Sequence, residues 1–169
     1  MRNEDKDCMG RLSVDIMELE EMTLFGLWKG SNDKTVSSDI DFMSKEYHEA
    51  VGRRDGEILP YFVLSRNYDK QSREFELLVG STLEHENLEH LILPQGLYAR
   101  ITVSPRFGRW WGMAIGEAKR YFYTKWLPGS PYEALNLEYE YHTQKSKDSH
   151  PSIDIMFAVR KKEQQYVGT

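Results

Sequence analysis

The order of elements in this chain is written twice, and that duplication limits the fold more than any other feature. An apolar alternating run over residues 13–28 leads to a helical pattern over 39–52, then to strand-like runs over 59–68 and 75–83. The order restarts with an extended run over 88–103, a helical pattern over 109–126 and strand-like runs over 134–143 and 153–160. A unit of roughly 75 residues is too long for a solenoid repeat and too short for two independently stable domains. The prediction is one α+β domain over residues 13–162, with repeat one over about 13–83 and repeat two over about 88–161. Two strand-helix-strand-strand repeats related by a pseudo-twofold axis would share an antiparallel sheet and leave a cleft between them, the usual place for a small molecule.

Composition narrows the function classes. With 169 residues and 40% apolar content the chain can bury one good core. A net charge of -5 argues against direct nucleic-acid binding, which draws most of its affinity from clustered Lys and Arg. No apolar run approaches the length of a membrane span, and the polar start has no signal-peptide core, so no membrane association and a cytoplasmic location are expected. Residues 1–12 read as a disordered lead and 163–169 as a tail. The single cysteine, Cys8, has no intrachain partner, and the five histidines lack the spacing of a zinc site. Neither a metal nor a cofactor is expected, since phosphate loops, nucleophile elbows and Cys-x-x-Cys pairs are all missing from the sequence.

Local signals place the elements. Ser37, Ser38 and Asp39 offer caps to the first helix, whose Ile40, Met43, Tyr47 and Val51 form one apolar stripe, with Gly52 and Gly56 ending it. The second helix carries Trp111, Ile115, Ala118, Phe122 and Trp126 on one side, stopped by Leu127-Pro128-Gly129-Ser130-Pro131. Trp110 is off that stripe, so one of the two adjacent tryptophans is expected to be exposed or to roof the cleft. Residues 14–28 read as one long bent strand or two short collinear ones, broken at Glu20-Glu21. Glu138 and Glu140 share one face of a strand with His142, alternating with Tyr139 and Tyr141. Taken alone, that run reads as a half-solvated strand.

Five motifs in order carry a resemblance. Leu93-Pro94-Gln95-Gly96-Leu97-Tyr98-Ala99, Tyr123-Thr124-Lys125-Trp126-Leu127-Pro128-Gly129-Ser130, Tyr132-Glu133-Ala134-Leu135, Tyr139-Glu140-Tyr141 and residues 153–159 resemble the effector-binding domain of GyrI-like proteins and of AraC-type and multidrug-responsive transcription activators. The opening Met17-Glu18-Leu19-Glu20-Glu21-Met22 is similar to that family's first strand. The resemblance spans about residues 13–161 and implies the same tandem (SHS2-like) strand-helix-strand-strand fold. Phe157-Ala158-Val159 and Tyr139 depart from the family pattern, which bears on ligand specificity more than on architecture.

The resemblance also implies a function. Family members bind hydrophobic, cationic or planar small molecules between the repeats, with a glutamate as polar anchor, which by position is Glu140 here. A single gap in the alignment would substitute Glu138, and His142 lies on the same face. Strand parity allows only one of Tyr61 and Phe62 to line the cleft, and Tyr98, Trp110, Trp111, Ile155 and Phe157 are further wall candidates. A carboxylate among aromatic rings suits a lipophilic cation, each ring face adding about 0.5–2 kcal/mol. The favoured expectation is stand-alone binding of such a compound, for drug sensing or sequestration, with no residues left over for a DNA-binding module. Hydrolysis of cyclopropane-bearing genotoxic natural products, with Glu140 as catalytic residue, is the alternative within this family, and a protein partner such as DNA gyrase is the third.

Overall fold

The computed structural model describes residues 12–52, 58–105 and 110–163. The expected lead and tail therefore lie almost wholly outside the described residues, as do Gly56 and the first residue of the expected second helix. Where the lead ends, Leu12 packs on the core. In chain order the elements are β1 (Asp15–Leu19), β2 (Met22–Asn32), α1 (Val36–Ala50), β3 (Tyr61–Arg66), β4 (Glu74–Ser81), β5 (Glu89–Leu93), β6 (Gly96–Val103), α2 (Trp111–Tyr121), β7 (Tyr132–His142) and β8 (Ile153–Lys161). A π-helical turn, Phe122–Trp126, extends α2. The fold is α+β, with the expected repeats seen as β2-α1-β3-β4 and β6-α2-β7-β8.

The eight strands of the described residues form one antiparallel sheet in the order β1-β6-β8-β7-β3-β4-β2-β5. The pseudo-twofold axis runs between β3 and β7, which pair from Tyr61 opposite His142 to Arg66 opposite Leu137. The outermost strands are exchanged: β1 leads into repeat one but pairs with β6, and β5 leads into repeat two but pairs with β2. Residues 14–28 are thus neither one bent strand nor a collinear pair. Glu20 and Glu21 carry the chain from β1 at one edge of the sheet to β2, the strand beside the other edge. A chain extends at most about 3.6 Å per residue, so this short link, like Pro94-Gln95 between β5 and β6, requires the two edges to stand close together. The sheet must curl.

The curl encloses one of the three buried apolar clusters among the described residues. Leu24, Leu93 and Tyr98, from strands near the two edges, meet Phe62, Leu64, Leu78, Tyr139 and Met156 inside it. Gly26 and Gly80, directly opposed on β2 and β4, make the tight coiling feasible. A Cβ on Gly80 would stand 2.1 Å from the Phe25 carbonyl oxygen, and one on Gly26 would stand 2.2 Å from that of Val79. No side chain fits at either position.

The other face of the sheet carries both helices. Met43 and Tyr47 of α1 pack on Val63, Leu77 and Val79, and Ala114, Ala118 and Phe122 pack on Ala99, Ile101, Ile155 and Phe157. The apolar stripes read from the sequence are therefore the faces buried. Tyr47 adds a hydrogen bond to Ser81, 2.6 Å between oxygens. α1 begins earlier than the capping residues predicted. Thr35 precedes its first turn, Asn32 Oδ1 accepts from the backbone N–H groups of Lys34 and Thr35, and Asp39 turns back to Lys29, Ser31 and Thr35. These partners, led by the Lys29 hydrogen bond, hold the Asp39 carboxyl down at about 2.

Candidate functional site

α1 packs over β2 and β4, and α2 over β6, so the central strands β3 and β7 floor a cleft between the helices. Residues directly opposite across an antiparallel pair share a face. Glu140 lies between Val63 of β3 and Ile155 of β8, which belong to the cores under α1 and α2 respectively. The row Glu138, Glu140, His142 therefore points up between the helices, while Tyr139 and Tyr141 point into the curled interior. The Glu-Tyr-Glu-Tyr run is covered on both sides, and Glu140 is only 9% exposed.

One edge of α2 runs along that row. Residues Trp111, Ile115, Lys119 and Tyr123 recur every four positions and so share a helix face. The Tyr123 hydroxyl donates to Glu138 Oε1 at 3.2 Å. Lys119 Nζ stands 3.3 Å from Glu138 Oε2 and 3.9 Å from Glu140 Oε2. The Trp111 ring meets the edge of the His142 imidazole at 6.5 Å between centroids. Glu138 Oε2 is buried and takes no well-angled hydrogen bond, so its contact with Lys119 is an ion pair. Desolvation pulls the Lys119 ammonium down, but Glu138 and Glu140 outweigh it and hold its pKa above the ordinary lysine value. The Tyr123 hydroxyl is pushed up by desolvation and then by the Glu138 charge.

A line of rings crosses the acidic row. From α1, His48 stacks on Tyr61 of β3 at 6.5 Å, and Tyr61 meets His142 at 6.2 Å, with Trp111 of α2 beyond. Ser44 and Tyr61 share a hydrogen bond of 2.6 Å between oxygens. His142 sits where the two lines meet, its Nε2 3.6 Å from Glu140 Oε1. Among the described residues, the Lys119 ammonium and the His142 imidazole both stand beyond hydrogen-bond distance of Glu140.

The residues named from sequence divide by strand face. Glu140, Glu138, His142, Tyr61 and Trp111 come together in the cleft. Ile155 and Phe157 share the face but lie fully covered beneath α2, where Phe122 stacks on Phe157. Phe62 and Tyr98 are corrected: both project from the opposite face into the curled interior, with Phe62 against Tyr139 and Tyr141. Burial raises the Tyr98 hydroxyl to about 12, and it donates to the Pro94 carbonyl at 2.6 Å, fastening the link between β5 and β6. Trp110 is 54% exposed at the start of α2, whereas Trp111 turns inward. Sequence reasoning missed Lys119, Tyr123, His48 and Ser44. The available signal for the first two was the four-residue spacing from Trp111, at the border of the apolar stripe.

Other features fit a ligand less well. A depression between β2, β4 and the turn that joins β3 to β4, lined by Asn32, Asn67, Asp69, Phe75 and Glu76 among others, is open to solvent. Among the described residues no cluster of His, Cys, Asp and Glu is arranged to hold a metal, and no helix is long and apolar enough to cross a membrane.

No family model and no curated protein matches the sequence. Solved structures match the fold. SAV2435 bound to tetraphenylphosphonium superposes with a TM-score of 0.67 at 9% identity, covering 91% of this chain and 98% of that one. The integron cassette protein VCH_CASS2 from Vibrio cholerae gives 0.64 at 15% identity, covering 89% and 99%. The EcmrR C-terminal domain gives 0.58 at 14% identity, covering 90% and 99%. At such identities the likeness establishes the fold, which is consistent with that of a GyrI-like effector-binding domain.

Proposed function

We propose that this chain binds a hydrophobic small molecule, cationic or planar aromatic, in the cleft between α1 and α2, for drug sensing or sequestration. The observation that carries the reading is Glu140: a largely enclosed carboxylate, its side chain only 11% exposed, in a row bordered by the rings of Tyr61, His142, Trp111 and Tyr123. Burying a carboxylate is costly unless something compensates it, and the nearest ammonium, that of Lys119, stands 3.9 Å from Glu140, outside hydrogen-bonding range. A lipophilic cation would supply the missing charge while its apolar body covers ring faces. The fold shared with a protein solved in complex with tetraphenylphosphonium supports the choice of ligand class.

The test is a titration of tryptophan fluorescence with tetraphenylphosphonium and with neutral planar aromatics, for wild type and Glu140→Gln, with the compounds analysed afterwards. Saturable binding with intact compound, weakened for the cation by about ten- to hundredfold in Glu140→Gln, is expected, because a contact to a charged group contributes about 1.5–3 kcal/mol. Absence of saturable binding would refute the reading and move attention to a protein partner such as DNA gyrase. Turnover of a cyclopropane-bearing compound that vanishes in Glu140→Gln would instead make the cleft a hydrolytic site.

A further inference from the structure

The cleft already contains a cation. Lys119 reaches from α2 across the acidic row with its ammonium nearer Glu138 than Glu140. Its side chain is 31% exposed, against 18% for Glu138 and 11% for Glu140, so the lysine retains a route to water while both carboxylates are largely enclosed. Tyr123 donates a second contact to Glu138, from the same helix. Glu138 is thus matched from α2 by two groups, whereas Glu140 has only the far side of Lys119 and the imidazole of His142.

We propose that Lys119 is the charge-selectivity element of the cleft: it neutralises Glu138 and leaves Glu140 as a single open negative charge, setting the site to accept one positive charge. The inference rests on the ligand-binding reading above and deepens it. Two carboxylates and one ammonium leave one net negative charge among these three side chains. An arriving monocation completes the balance, and the ammonium withdraws toward Glu138 as the ligand approaches Glu140. A dication would leave the site with one excess positive charge in surroundings where screening by water is weak. A neutral aromatic would gain ring contacts alone. The lysine thus disfavours doubly charged compounds by repulsion as well as favouring singly charged ones, and selectivity of this kind commonly requires a repulsive element. His48, His142 and Ser44 also face the cleft, but Lys119 is the only Lys or Arg side chain within ion-pairing distance of the two glutamates among the described residues.

The experiment compares wild type, Lys119→Met and Lys119→Met/Glu138→Gln by isothermal titration at fixed ionic strength. The probes are tetraphenylphosphonium as monocation, dibenzyl viologen as dication and triphenylphosphine oxide as neutral aromatic. Removal of one charge a few ångströms from the ligand should tighten tetraphenylphosphonium binding by about tenfold or more, and dibenzyl viologen by a larger factor. Triphenylphosphine oxide should change by less than about threefold, being uncharged. The double variant restores the original charge count, so its cation affinities should return to within about threefold of wild type. It also keeps the test decisive if Glu138, stripped of its ion pair, unfolds the single variant: a double variant that binds the dication much more tightly than wild type would overturn the assignment. Cation affinity unchanged in Lys119→Met, with wild type binding normally, would overturn the inference while leaving the ligand reading intact. An equal gain for all three probes would show that Lys119 merely blocks space, and would overturn it as well. Wild type binding none of the probes would overturn the ligand reading, and this inference with it.

Discussion

Phe122 lies face to face on Phe157, ring centroids 3.9 Å apart and planes 12° from parallel. The contact joins the end of α2 to β8 and continues outward through Trp126, stacked on Phe122, and Tyr132, stacked on Trp126. This column holds the helix over the sheet at the level where Tyr123 meets Glu138. Phe122→Ala should therefore destabilise the protein by about 3–5 kcal/mol, the usual cost of emptying a buried aromatic site. Phe122→Leu should cost clearly less. Urea unfolding of both variants measures this, and a loss below about 1 kcal/mol for alanine would mean that the column does not secure α2.

Gly80 makes a contrasting case, since the damage comes from adding an atom. A Cβ there would meet the Phe25 backbone oxygen at 2.1 Å, and a strand backbone cannot step aside as a flexible side chain can. Gly80→Ala should cost about 1–3 kcal/mol or more by overpacking. Gly30→Ala, on the same β2-β4 pair but with nothing within 4 Å of the added carbon, should change stability by less than about 0.5 kcal/mol. Thermal melts of the two variants separate the close approach required by the curl from a general intolerance of side chains in these strands.

Much of this architecture is legible in the sequence, because amphipathic periods report what each segment buries. Met43 and Tyr47, and Ala118 and Phe122, fall on the faces that their spacing assigns. Strand parity likewise separates Tyr61 from Phe62, but it cannot say which side of the sheet the helices cover, and so Phe62 and Tyr98 remained in the set with Tyr61. The exchange of β1 and β5 between repeats is illegible for a different reason. Pairing partners in a sheet are far apart in sequence, and the Glu20-Glu21 link looks the same whether the chain continues a strand or crosses to the far side of the sheet. Lys119 escaped notice because a lysine beside an apolar stripe usually points to water.

Asp39 provides a pH-dependent prediction. Its carboxyl is held at about 2, below the ordinary 3.8, chiefly by the Lys29 hydrogen bond and then by Ser31 and Thr35. A depressed folded-state value means that the stabilisation is fully present above the unfolded value and is lost as pH falls through the folded one. The melting temperature of the wild type should therefore fall more steeply than that of Asp39→Asn between pH 4 and pH 2, the interval set by those two values. Parallel curves for the two proteins would show that the Lys29-Asp39 cluster contributes no acid-linked stability.

Tyr61 and Phe62 allow the position of the binding face to be tested with neighbouring residues. They are consecutive on β3, yet Tyr61 points into the cleft toward His48 and His142 while Phe62 points into the curled interior toward Tyr139 and Tyr141. Loss of a cleft ring should weaken ligand binding directly, because ring faces contribute about 0.5–2 kcal/mol each to a bound cation. Loss of the interior ring should lower stability without touching the ligand, by several kcal/mol for alanine and less for leucine. For tetraphenylphosphonium, Tyr61→Leu and Trp111→Ala are thus expected to raise Kd by about three- to thirtyfold. Phe62→Leu should lower the urea midpoint while Kd, measured well below that midpoint, stays within about twofold of wild type. The reverse pattern, with affinity following Phe62 and insensitive to Tyr61 and Trp111, would move the binding site into the interior of the curled sheet and remove Glu140 from contact with the ligand.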